Sequence, residues 1–111
     1  MSNSKGEIRM AKRKLITFLG TGDYTQCIYT SGDGFQSRPT DFVQTALFEA
    51  LEHEGEPIDE VYLFLTEEAE KHNFYDGMSR RGEFKEGLRT VWDRYFPDDK
   101  DKLKIVHISS A

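Results

Sequence analysis

Three apolar runs, each only five or six residues long, do most to limit what this chain can fold into. They are Leu15-Ile16-Thr17-Phe18-Leu19, Val61-Tyr62-Leu63-Phe64-Leu65 and Leu103-Lys104-Ile105-Val106-His107-Ile108. The first two are nearly unbroken rather than alternating, which suits strands covered on both faces, as in a parallel sheet. Lys104 and His107 interrupt the third. No apolar run approaches the roughly 20 residues that a membrane-crossing helix needs.

Helical periodicity lies between the runs. Over Asp41–His53 the apolar residues Val43, Ala46, Leu47, Ala50 and Leu51 recur at i, i+3, i+4, i+7 and i+8, one face of an α-helix. Thr40 or Asp41 is its expected cap, and Gly55 followed by Pro57 its stop. A second pattern runs through Phe84, Leu88, Val91, Trp92 and Tyr95 to Pro97, with Gly87 inside it at a cost of about 1 kcal/mol against alanine. After the second strand, Thr66 caps a short helix, with Glu67 and Glu68 at its positive end and Lys71 and His72 at its negative end. Asn73–Gly82 reads as a polar loop. Gln26–Tyr29 and Phe35–Ser37 flank the turn-like Ser31-Gly32-Asp33-Gly34 as a minor hairpin.

Strand, helix, strand, helix, strand predicts two right-handed crossovers in an α/β domain. The expected fold is a Rossmann-like three-layer sandwich with a mainly parallel sheet. A three-stranded sheet leaves an edge and a helix layer unfinished, so the domain is expected to be incomplete at its C-terminus, truncated after the third main strand. Residues 12–111 then form the domain, and residues 1–11 a flexible extension within which Met10 is a possible native start.

With 111 residues the chain is the size of one domain. Its 20 acidic against 15 basic residues, a net charge of −5, argue against general coating of DNA or RNA, which depends on many cation–phosphate contacts. One phosphate-bearing ligand held by backbone amides is compatible with that charge. Cys27 is the only cysteine, so no intrachain disulfide forms, and a cytoplasmic setting is expected. Met1 to Met10 carry no apolar core of a signal peptide.

The most informative local feature is Gly20-Thr21-Gly22-Asp23-Tyr24, directly after the first strand. Ligands of open α/β sheets bind beyond the strands' carboxyl ends, and successive N–H groups there make an anion-holding concavity. Thr21, Thr25 and Gln26 add hydroxyl and amide partners. Thr25 stands where the dinucleotide fingerprint needs its third glycine, and no helix follows at once, so a nicotinamide-dinucleotide site is disfavoured. The phosphate-loop pattern of nucleotide triphosphatases is absent. On these residues alone, a phosphate-binding loop and a merely structural turn are nearly balanced.

Four blocks in order tip that balance. Lys14–Tyr24 with Cys27 and Tyr29, then Phe42-Val43-Gln44-Thr45-Ala46-Leu47, then Asp59–Leu65, then Thr66-Glu67-Glu68-Ala69, together resemble the opening of one subfamily of CRISPR-associated Rossmann-fold (CARF) proteins. The resemblance spans about Lys12 to Ile108. It implies a sensor of cyclic oligoadenylates made by type III CRISPR complexes in antiviral defence, cyclic tetra-adenylate being favoured. It further implies a homodimer with the ring on its two-fold axis. The loop Gly20, Thr21, Gly22, Asp23, Tyr24, Thr25 and Gln26 would line the pocket. Thr66 and Glu67, after the second strand, and Ser109 and Ser110, after the third, are secondary candidates on the same rim. The family's second ligand-contacting segment and its effector domain would lie past Ala111. The arginine-to-histidine motif of the associated RNases is missing around His53, His72 and His107. Neither cofactor nor catalytic residue is expected, although a ring nuclease that opens the ligand, or an unrelated nucleotide-binding α/β module, are the alternatives.

Blander readings stand for the remaining residues. Cys27 reads as a small, partly buried hydrophobe. The three histidines lack metal-ligand spacing. Glu67-Glu68 read as helix-end stabilisers, Asp23 as a turn residue bonding its own backbone and Arg80-Arg81 as a solvated pair. Tyr24 and Tyr29 either stack on adenine or pack. Phe84, Trp92 and Tyr95 read as core.

Overall fold

The structure, a computed structural model, describes residues 12–55 and 57–109. In chain order it contains β1 (Lys14–Phe18), α1 (Val43–His53), β2 (Glu60–Leu65), α2 (Glu67–Ala69), β3 (Gly77–Met78), β4 (Phe84–Lys85), α3 (Leu88–Tyr95) and β5 (Leu103–His107). A π-helical turn, Glu70–Phe74, continues α2, and a 3-10 turn, Pro97–Lys102, leads into β5. The expected N-terminal extension and Ser110 lie outside the described residues. Among those described, no helix is long and apolar enough to cross a membrane.

The fold is α/β. β1, β2 and β5 form a parallel sheet in that order, with β2 central. In register, Leu15 pairs with Val61 and Val61 with Leu103, while Thr17 pairs with Leu63 and Leu63 with Ile105. Alternation puts these residues on one face. There Val61, Leu63, Leu65 and Leu103 are buried against Phe48, Phe74, Leu88 and Trp92.

The other face departs from the expectation of strands covered on both sides. Ile16 is 59% exposed and Phe18 63%. Phe18 touches Phe64 on the same face, their rings 5.5 Å apart, and Lys14 lies over the Tyr62 ring. The described residues therefore make two layers, with an apolar sheet face left open.

Helix α1 also turns differently from its apolar periodicity. Gln44, Thr45, Ala46 and Phe48 are buried, whereas Val43 and Leu47 are largely exposed. The reason is polar: Gln44 Nε2 donates to the Phe18 carbonyl at 2.6 Å, tying α1 to the end of β1. The cap differs as well. Phe42 occupies the N-cap position, and Thr40 Oγ1 accepts from the Phe42 N–H at 3.1 Å. Gly55, with φ of +90°, follows the helix as expected.

The long excursion between β1 and α1 is held by antiparallel bridges, Cys27 to Thr40 and Thr30 to Gln36. Cys27 is exposed there, so its packing is not what places it. Arg38 closes the excursion: its guanidinium lies 4.3 Å from the Tyr95 ring centre and pairs with Glu49 at 3.2 Å.

Helix α3 starts later than its pattern suggests. Phe84 belongs to β4 and is 67% exposed, so it leaves the aromatic core, while Trp92 is fully buried against Phe48 and Phe96. Gly87 is the N-cap of α3 rather than an interior residue. Asp76 Oδ1 accepts from the Gly87 N–H at 2.8 Å and the Thr90 hydroxyl at 2.7 Å. The first of these bonds, helped by the second, lowers the Asp76 pKa below its ordinary value.

A depressed carboxyl pKa contributes stability that is present above the unfolded-state pKa and lost as pH falls through the folded one. The urea midpoint of the wild type is therefore expected to fall more steeply below about pH 4 than that of Asp76→Asn. Parallel pH profiles for the two proteins would rule this cap out.

Candidate functional site

The carboxyl ends of β1, β2 and β5 meet at one rim. The ladder runs slightly past the strands, Leu19 N–H donating to Phe64 O at 3.0 Å and Ile108 N–H to Leu65 O at 2.9 Å. From that rim the chain leaves β1 through Gly20–Gln26.

This loop is held from behind by its carbonyls. Asn73, fully buried on the π-helical turn, donates from Nδ2 to Gly20 O at 2.6 Å and Gly22 O at 2.9 Å. Arg80, from the β3–β4 hairpin, donates to Thr21 O at 3.3 Å. Gly20 N–H is used locally, donating to the Tyr24 hydroxyl at 2.9 Å, and the Tyr24 ring packs on Phe42. Among the described residues, the N–H groups of Thr21, Gly22, Asp23, Thr25 and Gln26 meet no acceptor. Three consecutive carbonyls are thus occupied while the amides beside them stay open, the polarity an anion requires.

The two glycines of the loop have no local reason to be glycine. Neither Gly20 nor Gly22 has a positive φ. A Cβ at Gly22 would meet nothing within 4 Å, and one at Gly20 only the Tyr24 hydroxyl, at 3.6 Å. Bare backbone at this point leaves room for a close approach from outside the fold.

Among the described residues, three clefts reach the loop, one of them, of about 380 Å³, only through Gln26. The rim cleft, of about 830 Å³, is lined by Thr21, Thr66, Glu67, Glu68, His107, Ile108 and Ser109. The structure thus brings Thr21, Thr66, Glu67 and Ser109 together, as their positions in the sequence predict. Thr66 also accepts from the Ala69 N–H at 3.1 Å, capping α2. Asp23, Tyr24, Thr25 and Gln26 instead line a second cleft, of about 290 Å³, against Asp41, Ser79, Arg81, Glu83, Phe84 and Lys85. Burial, with Glu86 adding to it, raises the Asp41 pKa despite the opposing effect of Lys85.

No family model, no curated protein and no solved structure matches this chain. The site is therefore read from its own groups.

Sequence reasoning missed three features of it. Asn73 looked like the start of a polar loop, but the π-helical turn carries it inward. Lys85 gave no signal; its ammonium contacts Asn73 Oδ1. His107, which interrupts an apolar strand, lines the rim cleft with Nε2 2.6 Å from Glu70 Oε1, and the Tyr75 hydroxyl donates to Glu70 Oε2 at 3.2 Å. Arg80, Arg81 and Lys85 have no carboxylate within ion-pair distance among the described residues, in a chain whose acidic groups outnumber its basic ones. Also among the described residues, no three His, Cys, Asp or Glu side chains converge on a metal position.

Proposed function

We propose that this chain is the ligand-sensing domain of a CARF-type protein, Rossmann-like in fold, which binds a cyclic oligoadenylate at the rim of its sheet. The observation that carries the reading is the Gly20–Gln26 loop, in which the carbonyls of Gly20, Thr21 and Gly22 are tied back and the amides of Thr21, Gly22 and Asp23 are open. Together with the four sequence blocks, it supports a phosphate of the ring on the amides of Thr21 and Gly22. Glu67, across the rim cleft, suits the adenine amino group or a ribose hydroxyl, which donate to carboxylates. A ring of four adenylates can lie on a two-fold axis, so two copies of the chain complete one pocket. Ligand binding then acts on an effector by favouring one arrangement of the pair, since only differential affinity shifts an equilibrium.

The His107–Glu70 pair favours a second reading, ring opening. His107 would take the proton of a ribose 2′-hydroxyl, whose oxygen attacks the adjacent phosphorus as the 5′-oxygen leaves and is protonated. The product is a linear oligoadenylate ending in a 2′,3′-cyclic phosphate.

One experiment addresses both readings. Adding cyclic tetra-adenylate to the ¹⁵N-labelled protein should shift the Thr21, Gly22 and Asp23 amide signals, and unmoved signals would contradict the sensor reading. Chromatography of the same sample in EDTA decides the second: an intact ring means pure sensing. A linear product whose formation His107→Gln abolishes means cleavage.

A further inference from the structure

We infer that Asn73 is the positioning residue of the ligand-holding loop, and that Lys85 fixes the direction in which its amide points. The inference rests on the reading of Gly20–Gln26 as an anion-holding loop and extends it to residues that do not themselves touch the ligand.

The chemistry of the four groups allows one arrangement only. An asparagine amide has a donor end and an acceptor end. The Asn73 donor end meets two carbonyl oxygens, Gly20 O and Gly22 O, which can only accept. Its acceptor end meets the Lys85 ammonium, which can only donate. A flipped amide would set oxygen against two oxygens and NH₂ against NH₃⁺, and Asn73 is fully buried, where unmatched polar atoms are costly. Lys85 therefore holds the amide in the orientation that pulls Gly20 O and Gly22 O inward. With those carbonyls turned in, the N–H groups on the opposite edges of the same two peptides, those of Thr21 and Asp23, face outward. Lys85 sits on β4, 12 residues beyond Asn73 in sequence, and also lines the cleft of Asp23–Gln26, so the β3–β4 hairpin controls the shape of a loop after β1.

Three substitutions bear on this. Asn73→Asp sets carboxylate oxygens against both carbonyls, but at a buried position it can unfold the chain. Lys85→Met keeps the apolar stem at a partly buried hairpin site and removes the donor together with its charge, so the order parameters without ligand are the decisive readout, while Lys85→Arg restores both donor and charge. The readouts are ¹⁵N order parameters of Thr21, Gly22 and Asp23 without ligand, and affinity for cyclic tetra-adenylate. In Lys85→Met the order parameters should drop from about 0.85 to below about 0.6, and affinity about tenfold. Lys85→Arg should recover most of both; the melting temperature of Lys85→Met should fall by several degrees, because the buried Asn73 Oδ1 loses its partner, while the chain stays folded. Order parameters unchanged in Lys85→Met, or no better in Lys85→Arg, would overturn the inference. If the wild type binds no ring, the functional reading fails, while the order parameters still decide whether Lys85 and Asn73 set the loop.

Discussion

Gly87→Ala is expected to cost at least about 4 kcal/mol, the exceptional end of single-residue effects, and to leave much of the chain unfolded at room temperature. The backbone at Gly87 is ordinary, with φ of −87° and ψ of 171°, so conformational strain is not the cause. Contact is. A Cβ there would stand 2.3 Å from the Phe74 carbonyl oxygen and 2.4 Å from the Tyr75 carbonyl carbon. Both are backbone atoms of the turn that carries Asn73, and neither swings away as a flexible side chain would. Accommodating the methyl group means separating α3 from that turn, which would uncover Leu88, Phe74 and Trp92, all buried. Urea denaturation followed by circular dichroism measures the loss. Gly32→Ala, at a position with open space around it, is the control and should change stability little. Near-equal midpoints for the two variants would mean that α3 does not lie against the turn.

Gly22→Val is expected to do the opposite: to leave the fold intact and abolish recognition. Its chain neighbours aside, none of the described residues comes within 4 Å of a Cβ at Gly22, and its φ is not positive. The melting temperature should therefore stay within a few degrees of wild type. On the sensor reading, the added side chain, next to the Thr21 and Gly22 amides, would obstruct a phosphate approaching them. Affinity for cyclic tetra-adenylate should fall at least about 100-fold, about 3 kcal/mol. Retained affinity would move the ligand off this loop. Loss of both affinity and stability would mean that the glycine serves the fold after all.

These two glycines show where the sequence could be read and where it could not. Short apolar runs located all three sheet strands, because strand length and β-branched or aromatic content need no tertiary information. The face that α1 buries was not legible. Val43, Leu47 and Ala50 form an i, i+4, i+7 stripe, but so do Gln44, Phe48 and Leu51, and periodicity alone does not choose between them. The choice is made by the Gln44 amide reaching Phe18 O, a contact across 26 residues. Gly87 was misplaced inside α3 because Phe84 extends the helical pattern backwards, whereas in the structure Phe84 pairs with Met78 in a hairpin.

The rim that carries the candidate site was legible to the same depth. The loop after β1 and the residues after β2 and β5 follow from the rule that ligands sit beyond the carboxyl ends of parallel strands. What holds the loop does not follow, since Asn73 acts on Gly20 from 53 residues away through a π-helical turn that no local pattern announces. The open face carrying Ile16 and Phe18 was hidden for a related reason. An unbroken apolar run has the composition of a strand buried on both sides, whether or not a second layer is present.

The most direct test of the central claim is calorimetric titration of the chain with cyclic tri-, tetra- and hexa-adenylate, with linear tetra-adenylate as the control. Saturable binding of cyclic tetra-adenylate at one ring per two chains, lost when Thr21→Ala is combined with Gly22→Val, is the predicted result. Absence of binding to every ring, or equal binding of the linear and cyclic tetra-adenylates, would contradict it.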